Sequence, residues 1–145
     1  MSNLDLEIAK RVLKEKNLTL VIAKNGKIIF QSSLHGIVSL LNAIESLGRN
    51  LEEAAVADKV VGKAAALLCA FSRVKSVFAL TLSIEGRKTL EESEIISEFE
   101  NLVSKILDKS GKDMCPFEKF SLSIENPKEA YFKLKKFADS LLKRR

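Results

Sequence analysis

Tryptophan is absent, histidine and tyrosine occur once each, and proline and cysteine twice each in 145 residues. With His35 as the only histidine and Cys69 and Cys115 as the only thiols, one chain is short of the four Cys/His ligands of a structural zinc site. Two thiols fit a reducing compartment better than a disulfide framework. No apolar run approaches the ~18–20 residues needed to cross a bilayer. The opening MSNLDLEIAKRVLKEK lacks the apolar stretch of a signal peptide, so the expected location is the cytoplasm, with no membrane partner. Proline- or serine-rich linkers and internal repeats are also lacking. One domain over 1–145 is expected, long enough to bury a full core.

Hydrophobic residues at 46% and charged residues at 30% exclude a disordered chain. The net charge of +5 is uneven: residues 1–100 carry 13 Lys/Arg and 13 Asp/Glu, residues 101–145 carry 11 and 6. A basic last third suggests nucleic acid or an anionic surface. The excess is small, however, and reads more simply as a solvated helix face with a basic C-terminal end.

The chain is organised around Ala54–Phe71, AAVADKVVGKAAALLCAF. It reads as a short buried strand, Ala54–Ala57, turning at Asp58 into a helix that is apolar nearly all round. Asp58 is a good N-cap, and such a helix must be covered on most sides. Alanine prefers helix, so one continuous helix from Asn50 to Phe71 is the alternative.

Around this centre, Leu6–Glu15 has a helical apolar stripe, with Asn17 as its stop. LTLVIAK and KIIFQS, joined at Asn25-Gly26, form a β-hairpin with a type I′ turn. Ile37–Leu47 is the next helix, ended by Gly48, with His35 read as a surface residue at its entry. Ser76–Leu82 is a central strand, Gly86–Ser93 a short helix, and Glu94–Phe99 a last, more polar strand. Asn101–Asp108 again has helical spacing. Gly111–Cys115 is a loop, and Pro116 opens a short helix. In the closing helix Asn126 caps, Pro127 opens and Glu129 sits at the capping-box position, with a stripe of Ala130, Tyr131, Leu134, Phe137, Ala138 and Leu141. The order α-β-β-α-β-α-β-α-β-α-α implies an α/β fold with a mixed sheet covered by helices on both faces.

Two helix starts carry the candidate site. At the first, Lys59 and Lys63 are spaced i, i+4 and share a face in the expected first turns. Cations there oppose the macrodipole, and a bound phosphate or carboxylate offsets that. Gly62 permits close approach of a ligand or a neighbouring backbone. The structural reading is that Asp58 caps and pairs with a lysine while Gly62 allows tight packing. DKVVGK lacks the spacing of a Walker loop. At the second start, Met114-Cys115-Pro116-Phe117-Glu118-Lys119, Cys115 takes the cap position, where N–H groups favour a thiolate, and Glu118 lies one turn on. The plainer reading is a half-buried loop cysteine beside an exposed capping-box glutamate.

VADKVVGKAAALL, MCPFEK, the TLVIAKNGKIIF hairpin and the NPKEAYFKLKKF helix together resemble a small family of uncharacterised prokaryotic proteins assigned the cytidine-deaminase-like fold. The resemblance spans nearly the whole chain. It implies a three-layer α/β/α sandwich with a mixed, roughly five-stranded sheet, and it brings no assigned reaction. Homodimerisation through helix faces is implied only by that resemblance.

True deaminases carry a His- or Cys-x-Glu motif at one helix start and Pro-Cys-x-x-Cys at the next. Laid on this chain, the first ligand falls at or near Asp58 and the proton shuttle at Val60, which carries no proton. The second motif keeps Cys115 and replaces the second cysteine with Glu118. Asp58, Cys115 and Glu118 would make an O/S/O set, a poor match to zinc. No metal or cofactor is assigned, and zinc-dependent deamination is disfavoured.

Three functions compete. The first is a non-catalytic binder of a nucleotide or other phosphorylated small molecule, with Asp58, Lys59, Gly62, Lys63, Met114, Cys115, Pro116 and Lys119 as its contacts. The second is a different enzyme using Cys115 as nucleophile or Glu118 as acid/base on a nucleotide-like substrate. The third, least favoured, is nucleic-acid binding through the basic C-terminal helix.

Overall fold

The computed structural model describes residues 4–143. Helix α1 (Leu4–Glu15) leads into the hairpin β1 (Leu20–Lys24) and β2 (Lys27–Ser32), then α2 (Val38–Leu47) and a 3-10 turn at Gly48–Leu51. Strand β3 (Ala55–Val61), helix α3 (Lys63–Ser72), strand β4 (Ser76–Ser83), helix α4 (Ile84–Glu92) and strand β5 (Ile96–Val103) alternate. Helices α5 (Pro116–Ser121) and α6 (Pro127–Lys143) follow.

The five strands form one mixed sheet in the order β2-β1-β3-β4-β5. Strand β1 is antiparallel to β2 and β3, whereas β4 runs parallel to both β3 and β5. The hairpin turns as expected, with Asn25 at φ 53° and Gly26 at φ 79°.

Alternation along the strands divides the core between the two faces of the sheet. Leu6, Ala9 and Leu13 of α1 cover Val21, Ala23, Ala55, Ala57 and Phe78 on one face. On the other, Leu20, Ile22, Val56, Val77 and Ala79 meet α2, α3 and α6. Alanine's poor strand propensity is overridden in β3 because Ala55 and Ala57 lie buried beneath α1. Eight of the ten residues of α3 are buried, as its apolar circumference requires. Helix α1 is pinned at both ends. The Asp5 carboxylate accepts the Asn25 and Gly26 N–H groups at 3.0 and 2.8 Å, and Lys10 and Lys14 pair with Glu98 and Glu100 of β5.

Two expectations are corrected. The strand does not end at Ala57: the ladder continues through Asp58 opposite Leu20 and Ala79 to Val61 opposite Leu82, so the chain turns at Gly62. Asp58 is therefore a mid-strand residue and not a helix cap. Asn101–Asp108 is not a helix, because Leu102 and Val103 pair with Leu82 and Ser83 and extend β5. Their near-helical spacing arises within an edge strand followed by a bend.

In α6, the Asn126 side chain accepts the Glu129 N–H at 3.0 Å, as a cap should. Glu129 itself pairs with Lys133 instead of reaching back. Among the described residues no helix is long and apolar enough to cross a membrane. Arg144 and Arg145, part of the basic C-terminal end, lie outside the described residues.

Candidate functional site

Helix α3 starts at the carboxyl edge of the sheet with Gly62 at its cap, in extended conformation and with no side chain to satisfy the first N–H groups. A carboxylate from far along the chain does so. Glu118 Oε1 accepts the Lys63 N–H at 2.7 Å and Oε2 accepts the Ala64 N–H at 2.9 Å. A Cβ at position 62 would fall inside that carboxylate, so only glycine allows the approach. Helix α4 closes on the same corner. Ser83 Oγ accepts the Gly86 N–H at 2.9 Å, and a Cβ on Gly86 would come within 3.0 Å of the Val61 and Gly62 backbone.

Glu118 is delivered by α5. Pro116 opens that helix after Cys115, whose N–H donates to the Ile106 carbonyl at 2.9 Å. Buried Ile124 and partly buried Phe117 seat the segment in the core, and Phe117 meets Phe137 edge-on at 5.3 Å. Ser121 Oγ donates to the Glu118 carbonyl. Lys63 fastens the far end: its buried amine donates to the Leu122 carbonyl at 2.9 Å and to Glu125 Oε1 at 3.1 Å. Glu125 is 79% exposed, so water screens that pair and the carbonyl bond matters more.

Burial pushes the Glu118 pKa up from its ordinary value. The Ala64 and Lys63 N–H groups and the Lys63 ammonium oppose the shift, and Glu85 adds to it. Asp58, half-buried in β3, accepts one hydrogen bond, from the Val60 N–H at 3.3 Å. Burial raises its pKa to about 7, against the pull of the Val60 and Lys59 N–H groups. Among the described residues no cation lies within 4.0 Å of it. Cys69 is fully buried in α3, and burial, aided by the Asp58 charge, drives its thiol far up. It is a small core side chain.

Of the sequence candidates, Gly62, Lys63 and Glu118 meet at the start of α3, while Cys115 and Pro116 begin the helix that carries Glu118. Lys59 does not share a face with Lys63. It lies in β3, with its N–H on the Thr19 carbonyl at 3.0 Å. Glu118 is not an exposed capping-box residue of its own helix, since it is buried and caps a different one. Met114 bridges Leu107 in the loop, and the exposed Lys119 sends its N–H to the Cys115 carbonyl. His35 is exposed ahead of α2.

Among the described residues no group of three His, Cys, Asp or Glu is placed to hold a metal, so Asp58, Cys115 and Glu118 do not assemble as an O/S/O set. Both Glu118 oxygens are engaged by backbone N–H groups. The start of α3 is thus capped by the chain's own distant carboxylate, which the positive end of the helix favours. The contact between Gly62 and Glu118 was missed in the sequence. Its trace there is a glycine where a helix start wants a capping side chain, paired with a glutamate near a second start.

A solved DUF1893 family protein from Thermotoga maritima (TM1506) superposes with a TM-score of 0.84 at 30% identity, covering 94% of this chain and 90% of that one. A diaminohydroxyphosphoribosylaminopyrimidine deaminase/5-amino-6-(5-phosphoribosylamino)uracil reductase, also from Thermotoga maritima, superposes with a TM-score of 0.50 at 16% identity. That match covers 84% of this chain and 41% of the other, and it establishes a shared deaminase-like fold alone. No curated protein matches the sequence. The family described as "TM1506: Domain of unknown function (DUF1893)" matches residues 8–138, and the chain belongs to it.

Proposed function

We propose that this deaminase-fold chain is a non-catalytic binder of a phosphorylated small molecule, held at the start of α3 in exchange for Glu118. The observation that supports the reading is the pair of 2.7 and 2.9 Å bonds by which one carboxylate takes two of the free N–H groups at the start of that helix. A phosphate offers the same acceptor geometry with more charge. Burial makes the resident carboxylate costly to keep ionised, so its departure to solvent recovers hydration. Lys63, at the same corner, supplies positive potential, and Gly62 leaves room for an oxygen.

The test is thermal stabilisation of the wild type and of Glu118→Gln by phosphate, pyrophosphate, ribose 5-phosphate and AMP. Glu118→Gln removes the competing charge at nearly constant shape, so it binds about tenfold more tightly than the wild type. Stabilisation of neither protein by any of these compounds overturns the proposal.

A further inference from the structure

The opposite edge of the sheet, where β3, β4 and β5 begin, holds a cavity of about 410 Å³ remote from the corner just described. Its apolar wall includes Val74, Ile95 and Ile96, of which Val74 and Ile95 are buried and Ile96 is 48% exposed. Two basic residues, Arg73 and Lys75, and two acidic ones, Glu53 and Glu94, also line it. Among the described residues none of these four is within 4.0 Å of an opposite charge.

Three of the four also hold left-handed backbone: Glu53 at φ 66°, Arg73 at φ 58° and Glu94 at φ 59°. Arg73 follows the last turn of α3, where glycine or asparagine is the usual choice. Charged residues are thus carried at three positions where glycine is cheaper for the backbone, all lining one hollow. The connections that bear them are tied together. The Glu53 N–H donates to the Arg73 carbonyl at 2.9 Å, Lys75 N–H to the Ala54 carbonyl at 2.8 Å, and Ile96 N–H to the Lys75 carbonyl at 3.2 Å. The hollow is preformed, as small-molecule sites generally are.

We infer that this cavity binds a small zwitterion with an apolar tail, namely an apolar α-amino acid. The carboxylate is met by Arg73 and Lys75, the ammonium by Glu53 and Glu94, and the side chain by Val74, Ile95 and Ile96. Two charge pairs of opposite sense and an apolar surface are what such a molecule requires, and an anion or a cation alone leaves half of the charges unanswered.

The experiment is an NMR titration of the amide-labelled chain with L-leucine to about 10 mM. Shifts are expected at the amides of Ala70, Val74, Ile95 and Ile96. Isovalerate, which lacks the ammonium, and isoamylamine, which lacks the carboxylate, should bind at least about tenfold more weakly. Arg73→Gly separates fold from binding, because glycine suits φ 58° better than arginine does. It should melt at an equal or higher temperature and lose about tenfold in leucine affinity. Lys75→Gln should lose affinity with an unchanged melting temperature. Unmoved amides at those four residues, isovalerate binding as tightly as leucine, or wild-type leucine affinity in both variants overturns the assignment.

Discussion

Gly62 and Glu118 fit together only because the first has no side chain: any Cβ there would occupy the space of the Glu118 carboxylate. Gly62→Ala should therefore expel the carboxylate and leave two buried N–H groups of α3 unsatisfied. A loss of about 2–3 kcal/mol is expected in urea unfolding. Gly86→Ala, whose Cβ meets the Val61 and Gly62 backbone at 3.0 Å, should also destabilise, without releasing the carboxylate. If Gly62→Ala unfolds at the wild-type midpoint, the clasp contributes nothing to stability.

Truncating the carboxylate separates its charge from its shape. Glu118→Ala should cost about 1–3 kcal/mol, because the Lys63 and Ala64 N–H groups lose their partner. Glu118→Gln keeps one acceptor oxygen and should cost about half as much. Equal stability of the two variants would contradict this account.

Stability should fall between acid and neutral pH. The Asp58 carboxyl titrates near 7 in the fold against 3.8 for the ordinary group. In that window the folded chain keeps a proton that the unfolded chain releases, so unfolding free energy decreases as pH rises and levels off above 7. Glu118, also raised, acts with the same sign. The Asp58 contribution has a ceiling of about 4 kcal/mol. Urea midpoints from pH 4.5 to 8.5 measure the slope, and Asp58→Asn should flatten it and stabilise the protein above pH 7. A midpoint that rises through this range excludes a protonated Asp58.

The thiols should differ in reach. Cys69 is buried in α3, whereas Cys115 is half-buried at the start of α5. A thiol-reactive disulfide reagent should titrate one group in native buffer and two in denaturant, with Cys115→Ser abolishing the native signal. Rapid native labelling of Cys69 would place α3 closer to solvent than its packing allows.

Lys63 ties the α3 start to the end of α5 through the Leu122 carbonyl. Lys63→Met keeps the buried stem but removes the donor. Hydrogen exchange should quicken across residues 117–125 while β3 and β4 stay protected, at a cost of about 1–2 kcal/mol. Unchanged exchange in that segment would show that its apolar contacts suffice alone.

Most of the architecture was readable because its signals are local. Asn25-Gly26 marks its hairpin, Pro127 its helix, and the apolar circumference of α3 its burial. The end of β3 was not readable. Asp58 looks like a cap in sequence, but pairing with Leu20 and Ala79, residues distant along the chain, extends the strand past it. Leu102 and Val103 misled for the same reason. The site was half legible: Gly62, Lys63, Cys115 and Glu118 stood out by type, yet that Glu118 serves the helix of Gly62 depends on a contact 55 residues long.

The ion pairs that fasten α1 to β5 bear on how the protein is born. Lys10 and Glu98 are 88 residues apart and Lys14 and Glu100 are 86, whereas Asp5 reaches the hairpin turn over 20. During synthesis the helix made first can engage the hairpin early and β3 and β4 after it, while its two ion pairs wait for β5. Until β5 emerges, apolar packing, with the Lys10 and Lys14 amines over the Phe78 ring, holds the helix, and the ion pairs close the most distant contacts of that face.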